Sequence, residues 1–196
     1  MYTVVGPAQM RPLRVLWMLE ELGQSYTHIP AMPGSDEAKS YSGTGKVPAL
    51  IIGDQVFTDS VAIMTHLADA HGGVTLPAGT IDRMTQDGMT NFVLEEMDAL
   101  LWTASKHSFV HPPEHRVDAI KPSVKWEFER SLDRFEQRLA GKDFLMGDQI
   151  TIPDIVAVHC LNWAHVAKFP PASPALIAYS KRLRARPAYI AATSNA

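Results

Sequence analysis

Residues 45–67 constrain the fold of this chain most, because they combine a proline, a short hairpin and a helix start. Val47-Pro48 precedes a short apolar run over 49–52, and a turn at 53–54 returns the chain as a second strand. A proline just before a strand cannot donate to the sheet, and the bond before it is the one most prone to be cis. A cis bond there would turn the main chain of Val47 outward, leaving its N–H and C=O free for an extended peptide.

Asp59 and Ser60 open the helix that follows this hairpin. Such residues usually cap a helix start, where free N–H groups and the positive end of the helix dipole also favour an anion. Taken alone, the pair is typical of a simple cap. Because Val47-Pro48 stands a few residues upstream, we expect an anion site beside an open strand edge. That combination suits a small acidic peptide.

The first eighty residues alternate short strands with helices. Pro at the first turn and Gly23 at the end delimit the first helix. We predict strands at 2–5, 26–29, 49–52 and 55–57, and helices at 12–22, 35–41 and from about 58 to 71. The order β-α-β-α-β-β-α predicts an α/β sheet with one antiparallel hairpin.

Beyond Pro77 the apolar residues recur every three or four positions, which predicts long amphipathic helices. Residues 155–166 are apolar almost all round and indicate a central buried helix, with a capping-box variant at 151–154 in front of it. We therefore predict a first domain at 1–72, a linker at 73–79 and an all-helical domain at 80–196. The two predicted stripes are Met89, Val93, Met97, Leu100 and Ala104, and Val124, Phe128, Leu132, Phe135 and Leu139.

Composition excludes several classes of function. The formal net charge of -3 leaves no basic stripe for a nucleic-acid partner. One cysteine, Cys160, cannot form an internal disulfide or a Cys-x-x-Cys pair, and we expect it to be an inert buried thiol. The first residues lack the pattern of a signal peptide, and no apolar run is long enough for a membrane span. We expect a cytoplasmic protein without a membrane partner.

Three blocks, in the expected order along the chain, resemble the cytosolic glutathione transferases of bacterial type. They are Leu13 to Gly23, then Gly-Lys-Val-Pro-Ala-Leu (45–50) with Asp-Ser-Val-Ala-Ile (59–63), and then Gly147 to Ile155. The resemblance implies a thioredoxin-like domain followed by a helical bundle, and a homodimer. It also implies glutathione as co-substrate and a detoxifying reaction in which the glutathione thiolate attacks a hydrophobic electrophile.

The resemblance also assigns the glutathione site. Ser60 and the backbone near it would hold the γ-glutamyl carboxylate, and Asp59 would face the same end of the ligand. The main chain of Val47, before Pro48, would pair with the cysteinyl residue. Lys46 would reach the glycyl carboxylate, or else be a solvated surface lysine.

The chain departs from the family at the position that activates the thiol. The family places a Tyr, Ser or Cys after the first strand, but here the Ser or Cys position falls on Met10 and the Tyr position on Gly6. Methionine has no proton to donate. The candidates that remain are the Gln9 amide, the Arg11 guanidinium and N–H groups at the helix start, although an arginine in a first helical turn is often a member of a surface ion pair instead. The departure leaves two interpretations: an enzyme with an atypical activating position, or a glutathione-binding or protein-interaction module with little catalysis.

The resemblance places the electrophile against Met10, Trp102, Lys106, His107 and Phe109. Aromatic residues at helical spacing, such as Trp102 and Phe109, are more often core residues than substrate contacts, so that alternative stays open. A metal site is not predicted. His107, His111 and His115 are spaced by four, but the prolines at 112–113 prevent them from sharing one helix.

Overall fold

A computed structural model describes residues 1–194. The chain forms two compact units, one of Met1–Arg83 with the C-terminal segment from Leu183, and one of Met84–Arg182. The first unit gains this segment because the C-terminal helix Pro187–Ser194 packs on the helix Pro12–Glu21. The sequence-based limits at 72 and 80 do not include that return of the chain, and the domain bounds stay a prediction.

The first unit contains a sheet of four strands, β1 (Tyr2–Val5), β2 (Tyr26–Ile29), β3 (Ala49–Ile52) and β4 (Gln55–Thr58), which lie in the order β2-β1-β3-β4. The predicted order β-α-β-α-β-β-α is confirmed, with most ends within one residue of the expected position. The helices of this part are α1 (Pro12–Glu21), α2 (Asp36–Ser42) and α3 (Ser60–His71).

The strand register brings the predicted binding segments to one edge of the sheet. β1 pairs in parallel with β2 and antiparallel with β3, and β3 pairs antiparallel with β4. Val5 lies opposite Ala49, and Ala49 lies opposite Thr58. Because neighbouring strands are about 4.8 Å apart, the residues that follow β1, precede β3 and follow β4 meet at the same edge.

The core of the first unit is apolar and tightly closed. Val4 and Val5 of β1 and residues 15–19 of α1 are fully buried. The rings of Trp17 and of Tyr189 in the C-terminal helix pack edge to face, with their centroids 5.0 Å apart. Arg186 pairs with both carboxylate oxygens of Glu21, at 2.6 and 2.7 Å. These contacts fix α1, which carries the predicted activating residues in the turn before it.

The second unit is helical. A continuous helical run is made of α4 (Ile81–Val93), a π-helical turn (Leu94–Asp98), α5 (Ala99–Ser105) and a second π-helical turn (Lys106–Val110). The predicted stripe is buried at Met89, Val93, Met97 and Ala104, but Leu101 is fully buried and Leu100 only partly. Met97, Leu101 and Ala104 are spaced by four and three residues, so the buried face keeps an ordinary helical spacing.

The remaining helices are α6 (Lys121–Leu139), α7 (Ile152–Val166), α8 (Pro174–Arg184) and α9 (Pro187–Ser194). The predicted buried stripe of α6 is confirmed, and α7 is buried as predicted from Ile152 to Leu161. The prediction is wrong at the end of α7, where Val166 is 81% exposed. Between the second π-helical turn and α6, short 3-10 helices at Pro113–His115 and Asp118–Ile120 follow the break at the two prolines. As predicted, the three histidines at 107, 111 and 115 therefore do not share one helix.

The capping box in front of α7 is confirmed, and Asp154 is its centre. Its carboxylate accepts the N–H groups of Leu145 and Thr151 at 2.9 Å, the Thr151 hydroxyl at 2.9 Å and the Tyr179 hydroxyl at 2.7 Å. Burial raises the pKa of Asp154, and the four donors oppose that shift. Burial, and then the Asp154 charge, raises the pKa of Tyr179. Asp154 has a structural role.

No helix within residues 1–194 has the length and apolar character needed to cross a membrane.

Candidate functional site

The main chain of Val47 lies open at the sheet edge described above. The Val47-Pro48 peptide bond is cis, as expected. Within residues 1–194, neither the N–H nor the C=O of Val47 has a hydrogen-bond partner. Pro48 is buried and Lys46 is exposed. The edge therefore offers one donor and one acceptor to an extended ligand backbone.

Gly6 supports Val47 from the end of β1. It has a φ of +120°, and a Cβ atom built on it would lie 2.6 Å from both the Val47 Cβ and the Pro12 Cγ. Its N–H donates to the Ile29 carbonyl at 2.8 Å, which fixes the backbone in this position. Since no side chain fits here, position 6, where the resemblance places the family's tyrosine, is restricted to glycine.

Asp59 caps α3 with one oxygen of its carboxylate. Oδ1 accepts the N–H groups of Val61 and Ala62, both at 2.9 Å, and the residue has a φ of +72°. The second oxygen, Oδ2, has no hydrogen-bond partner within the described chain, and the residue is exposed. Asp59 thus satisfies the helix start and still offers a charged acceptor.

Ser60 offers two donors at the same point. The residue is 3% exposed, and its Oγ accepts a hydrogen bond of 3.2 Å from Nη1 of Arg14 in α1. Neither the N–H nor the O–H of Ser60 has an acceptor among residues 1–194. Buried donors of this kind are normally satisfied, so the start of α3 is suited to a ligand that accepts hydrogen bonds.

The turn before α1 carries the three predicted activating residues. Gln9 and Met10 are exposed and Arg11 is partly buried. The N–H of Met10 donates to the Pro7 carbonyl at 3.1 Å, whereas the N–H of Gln9 has no partner within the described chain. Because α1 begins at Pro12, the positive end of its dipole lies directly behind this turn.

Two parts of the chain match models of known protein families. Residues 13–75 match the family "Glutathione S-transferase, N-terminal domain", and residues 97–187 match "Glutathione S-transferase, C-terminal domain". The chain belongs to the glutathione S-transferase superfamily. Glutathione conjugation is the general chemistry of these glutathione transferases, and the thioredoxin-like first domain followed by a helical domain is their fold.

Individual glutathione transferases agree with this assignment. The chain is 26% identical to glutathione S-transferase GstA of Escherichia coli O157:H7 over 162 residues, covering 76% of each protein. A glutathione transferase structure from Methylococcus capsulatus str. Bath is 27% identical, with a TM-score of 0.87, and the match covers 100% of this chain and 98% of that one. A glutathione transferase of Phanerochaete chrysosporium, solved with oxidized glutathione, has the same fold at 21% identity and a TM-score of 0.82, over 99% and 94% of the two chains.

The four other residues predicted to contact the electrophile lie in the second unit. Trp102 and Phe109 are exposed, at 36% and 67%, and are not core residues. Lys106 and His107 are partly buried, and Nδ1 of His107 accepts the Val117 N–H at 3.1 Å. The structure thus places the four within eight residues of one helical run, while the fifth, Met10, lies before α1 in the first unit.

His111 follows that helical run and carries a shifted pKa. Its ring packs edge to face on the ring of His107, with the two centroids 5.2 Å apart. Desolvation, followed by the nearby charges of His107 and Lys106, lowers the pKa of His111. The segment therefore favours a neutral imidazole at this position.

One cluster in the described chain has the composition of a metal site. Asp98, His159 and Cys160 are buried, and their ligand atoms lie within 4.8 Å of one another. The Cys160 Sγ is 4.0 Å from Oδ2 of Asp98, whereas two such ligands of a tetrahedral zinc ion would be about 3.5 Å apart. All three residues also have other interactions. The cluster is a set of buried polar contacts, and the absence of a metal stays a prediction.

Sequence reasoning missed Arg14. It lies between Leu13 and Val15 on the buried part of α1 and is itself only 1% exposed. An arginine inside such an apolar run is the available signal, because a buried guanidinium needs polar partners.

Proposed function

We propose that the chain is a glutathione transferase that conjugates the glutathione thiolate to a hydrophobic electrophile, with an atypical activating position. The observation that carries the proposal is the pairing of opposite polarities at the start of α3. Ser60 offers an N–H and an O–H, and the neighbouring Asp59 offers a carboxylate oxygen. A free α-amino-acid group, which carries a carboxylate and an ammonium, complements both. Glutathione has such a group at its γ-glutamyl end.

The rest of glutathione follows from the geometry of the sheet edge. In the proposal, the N–H and C=O of Val47 bind the backbone of the cysteinyl residue, since neither group has a partner within residues 1–194. Lys46 is exposed and reaches the glycyl carboxylate. This orientation brings the thiol towards the turn before α1.

The thiol then requires a group that stabilises its anion. A free thiol has a pKa of roughly 8.5, and positive potential or a donor lowers it. Met10 cannot donate a proton. We propose that the start of α1 supplies the potential, with the Gln9 amide and the Arg11 guanidinium as the contributing donors. The thiol loses its proton to solvent, and the sulfur then forms a C–S bond with the electrophile while the leaving group departs or the double bond takes up a proton.

The electrophile is proposed to contact Met10, Trp102, Lys106, His107 and Phe109. Exposure of the two aromatic rings supports this assignment, because an apolar acceptor needs apolar surface that is not already buried. A homodimer, a cytoplasmic location and a role in detoxification are further parts of the proposal, and they rest on the likeness to the transferases named above.

A second candidate function is a glutathione-binding or protein-interaction module with little catalysis. Met10 favours it, because a thioether replaces the hydroxyl or thiol that the family uses. Under this alternative the α3 site is retained, while the turn before α1 does not activate the sulfur.

Binding and turnover separate the two functions. The full chain is applied to immobilised glutathione, and conjugation of a generic aromatic electrophile is then followed. Binding with turnover supports the transferase, and binding without turnover supports the module. Failure to bind contradicts the α3 site itself.

The activating residues are tested through the pKa of bound glutathione, read from the ultraviolet absorbance of its thiolate. Gln9→Ala and Arg11→Ala are each expected to raise that pKa, and the double variant is expected to raise it most. If both single variants leave the pKa unchanged, these two residues do not activate the thiol.

A further inference from the structure

We infer that Arg14 is a positioning residue for glutathione: it fixes the hydroxyl of Ser60 so that the hydroxyl proton faces the γ-glutamyl carboxylate. This inference rests on the proposed function and deepens it. Its basis is the buried contact of 3.2 Å between Nη1 of Arg14 and Oγ of Ser60.

The direction of that hydrogen bond is fixed by chemistry. A guanidinium carries only donors, while a hydroxyl has one donor and two acceptor sites. The oxygen of Ser60 must therefore accept from Arg14, and its proton must point elsewhere. No residue from 1 to 194 accepts that proton. The site consequently selects a ligand group with lone pairs, such as a carboxylate, and disfavours an ammonium.

Burial makes this orientation rigid. Arg14 is 1% exposed and Ser60 is 3% exposed, so water does not compete for the contact. Leu13 and Val15 flank the arginine and are themselves buried, at 6% and 0% exposure, which holds α1 in place. A hydrogen bond from a charged donor in such surroundings is stronger than a neutral one in water. The Ser60 donor is thus oriented before the ligand arrives.

Arg14 also connects the two parts of the proposed site. Its own N–H donates to the Arg11 carbonyl at 3.0 Å, in the turn that carries the activating residues. Its side chain reaches the start of α3, where the γ-glutamyl end binds. One residue of α1 therefore contacts the backbone on the thiol side and the side chain on the carboxylate side.

If Arg14 had a purely structural role, its contact with Ser60 would only hold α1 against α3; this role is called a structural tie. The two roles differ in their coupling to the ligand. A structural tie affects all ligands alike, whereas a positioning residue affects only ligands that carry the γ-glutamyl carboxylate. The matching probe is 4-aminobutyryl-Cys-Gly, which is glutathione without that carboxylate.

The experiment measures the dissociation constants of glutathione and 4-aminobutyryl-Cys-Gly by calorimetry on the full chain. The variants are Arg14→Met, which removes the donor, and Arg14→Lys, which retains a cation and is the variant to read if Arg14→Met does not fold. The control is Arg83→Gln. Arg83 is 7% exposed and pairs with both oxygens of Asp69 at 2.7 and 3.1 Å. Asp69 is nine residues beyond Ser60, about 13 Å along α3.

For the wild type, we expect glutathione to bind roughly 100-fold more tightly than the probe. Arg14→Met should reduce this ratio to about tenfold or less, Arg14→Lys should give an intermediate ratio, and Arg83→Gln should leave it within about twofold. In a Ser60→Ala background, Arg14→Lys should not change the ratio further.

The outcomes separate this inference from the proposed function. If the wild type prefers glutathione but the Arg14 variants keep the full ratio, Arg14 is only a tie and the inference fails while the proposed function stands. If the wild type does not bind glutathione, the proposed function fails and the inference fails with it.

Discussion

The substitution Asp59→Asn separates the two roles that the structure gives to this carboxylate. An asparagine side-chain oxygen still accepts the N–H groups of Val61 and Ala62, and asparagine tolerates the positive φ of +72° at this position. What the change removes is the negative charge. Folding then loses only the interaction with the helix dipole, about 0.3–1 kcal/mol.

Ligand binding should lose more. Oδ2 of Asp59 is the charged acceptor left for the γ-glutamyl ammonium. Because the residue is exposed, we assign about 1–1.5 kcal/mol to that charge-assisted hydrogen bond, just above the range for plain surface ion pairs and at the low end of hydrogen bonds to charged groups. The dissociation constant of glutathione should therefore rise roughly 5- to 12-fold. Asp59→Ala, which also removes the cap, should cost a further 0.5–2 kcal/mol, roughly, of unfolding free energy.

The assay is calorimetric titration with glutathione and with glutaryl-Cys-Gly, which lacks the amino group, together with urea unfolding of each variant. Asp59→Asn should weaken glutathione but leave glutaryl-Cys-Gly nearly unchanged. Equal weakening of both ligands would refute the contact with the ammonium. An unchanged affinity for both would mean that Asp59 is a cap and nothing more.

Two further residues give predictions with clear magnitudes. Asp154→Ala leaves buried donors without an acceptor and should lower the free energy of unfolding by about 3–5 kcal/mol in urea titrations; a loss under 1 kcal/mol would contradict the hydrogen-bond account. Since burial raises the pKa of Asp154 above its ordinary 3.8, the folded chain binds that proton more tightly than the unfolded chain. Its contribution to stability should therefore fall as pH rises from 3.8 through the raised pKa, and Asp154→Asn should remove this slope. Gly6→Ala forces a Cβ against Val47 at a φ of +120° and should cost about 2–4 kcal/mol while weakening glutathione binding. Gly88→Ala, in a helix with open space around it, is the control and should be neutral or stabilising; equal effects would refute the steric argument.

Local patterns predicted most of the fold because each element is marked by its own residues. The four strands alternate with turns that contain glycine or proline, and their observed bounds agree with the prediction to within a residue. Which residues of the long helical run in the second unit are buried was less predictable. Leu101 replaces Leu100 in the core, and since both positions fit a spacing of three or four residues after Met97, the pattern alone does not choose between them. The packing of α9 on α1 is likewise a long-range contact with no local signal.

In the candidate site, too, the residues with a local sequence signal were predictable, and those defined by long-range contacts were not. Asp59 and Ser60 are recognisable from the sequence because capping residues have a fixed place at a helix start. The partner of Ser60 is not, since Arg14 is 46 positions away and lies among apolar residues. Likewise, the reason that position 6 carries no side chain becomes visible only with Val47 and Pro12 in place around it.

The central claim is that glutathione lies along the sheet edge with its γ-glutamyl end at the start of α3. A crystal structure of the full chain with glutathione tests it most directly. We predict that the N–H and C=O of Val47 each lie about 2.7–3.2 Å from the cysteinyl backbone, and that Ser60 donates to the γ-glutamyl carboxylate at a similar distance. Glutathione bound in the opposite direction, or away from Val47 and Ser60, would contradict the claim.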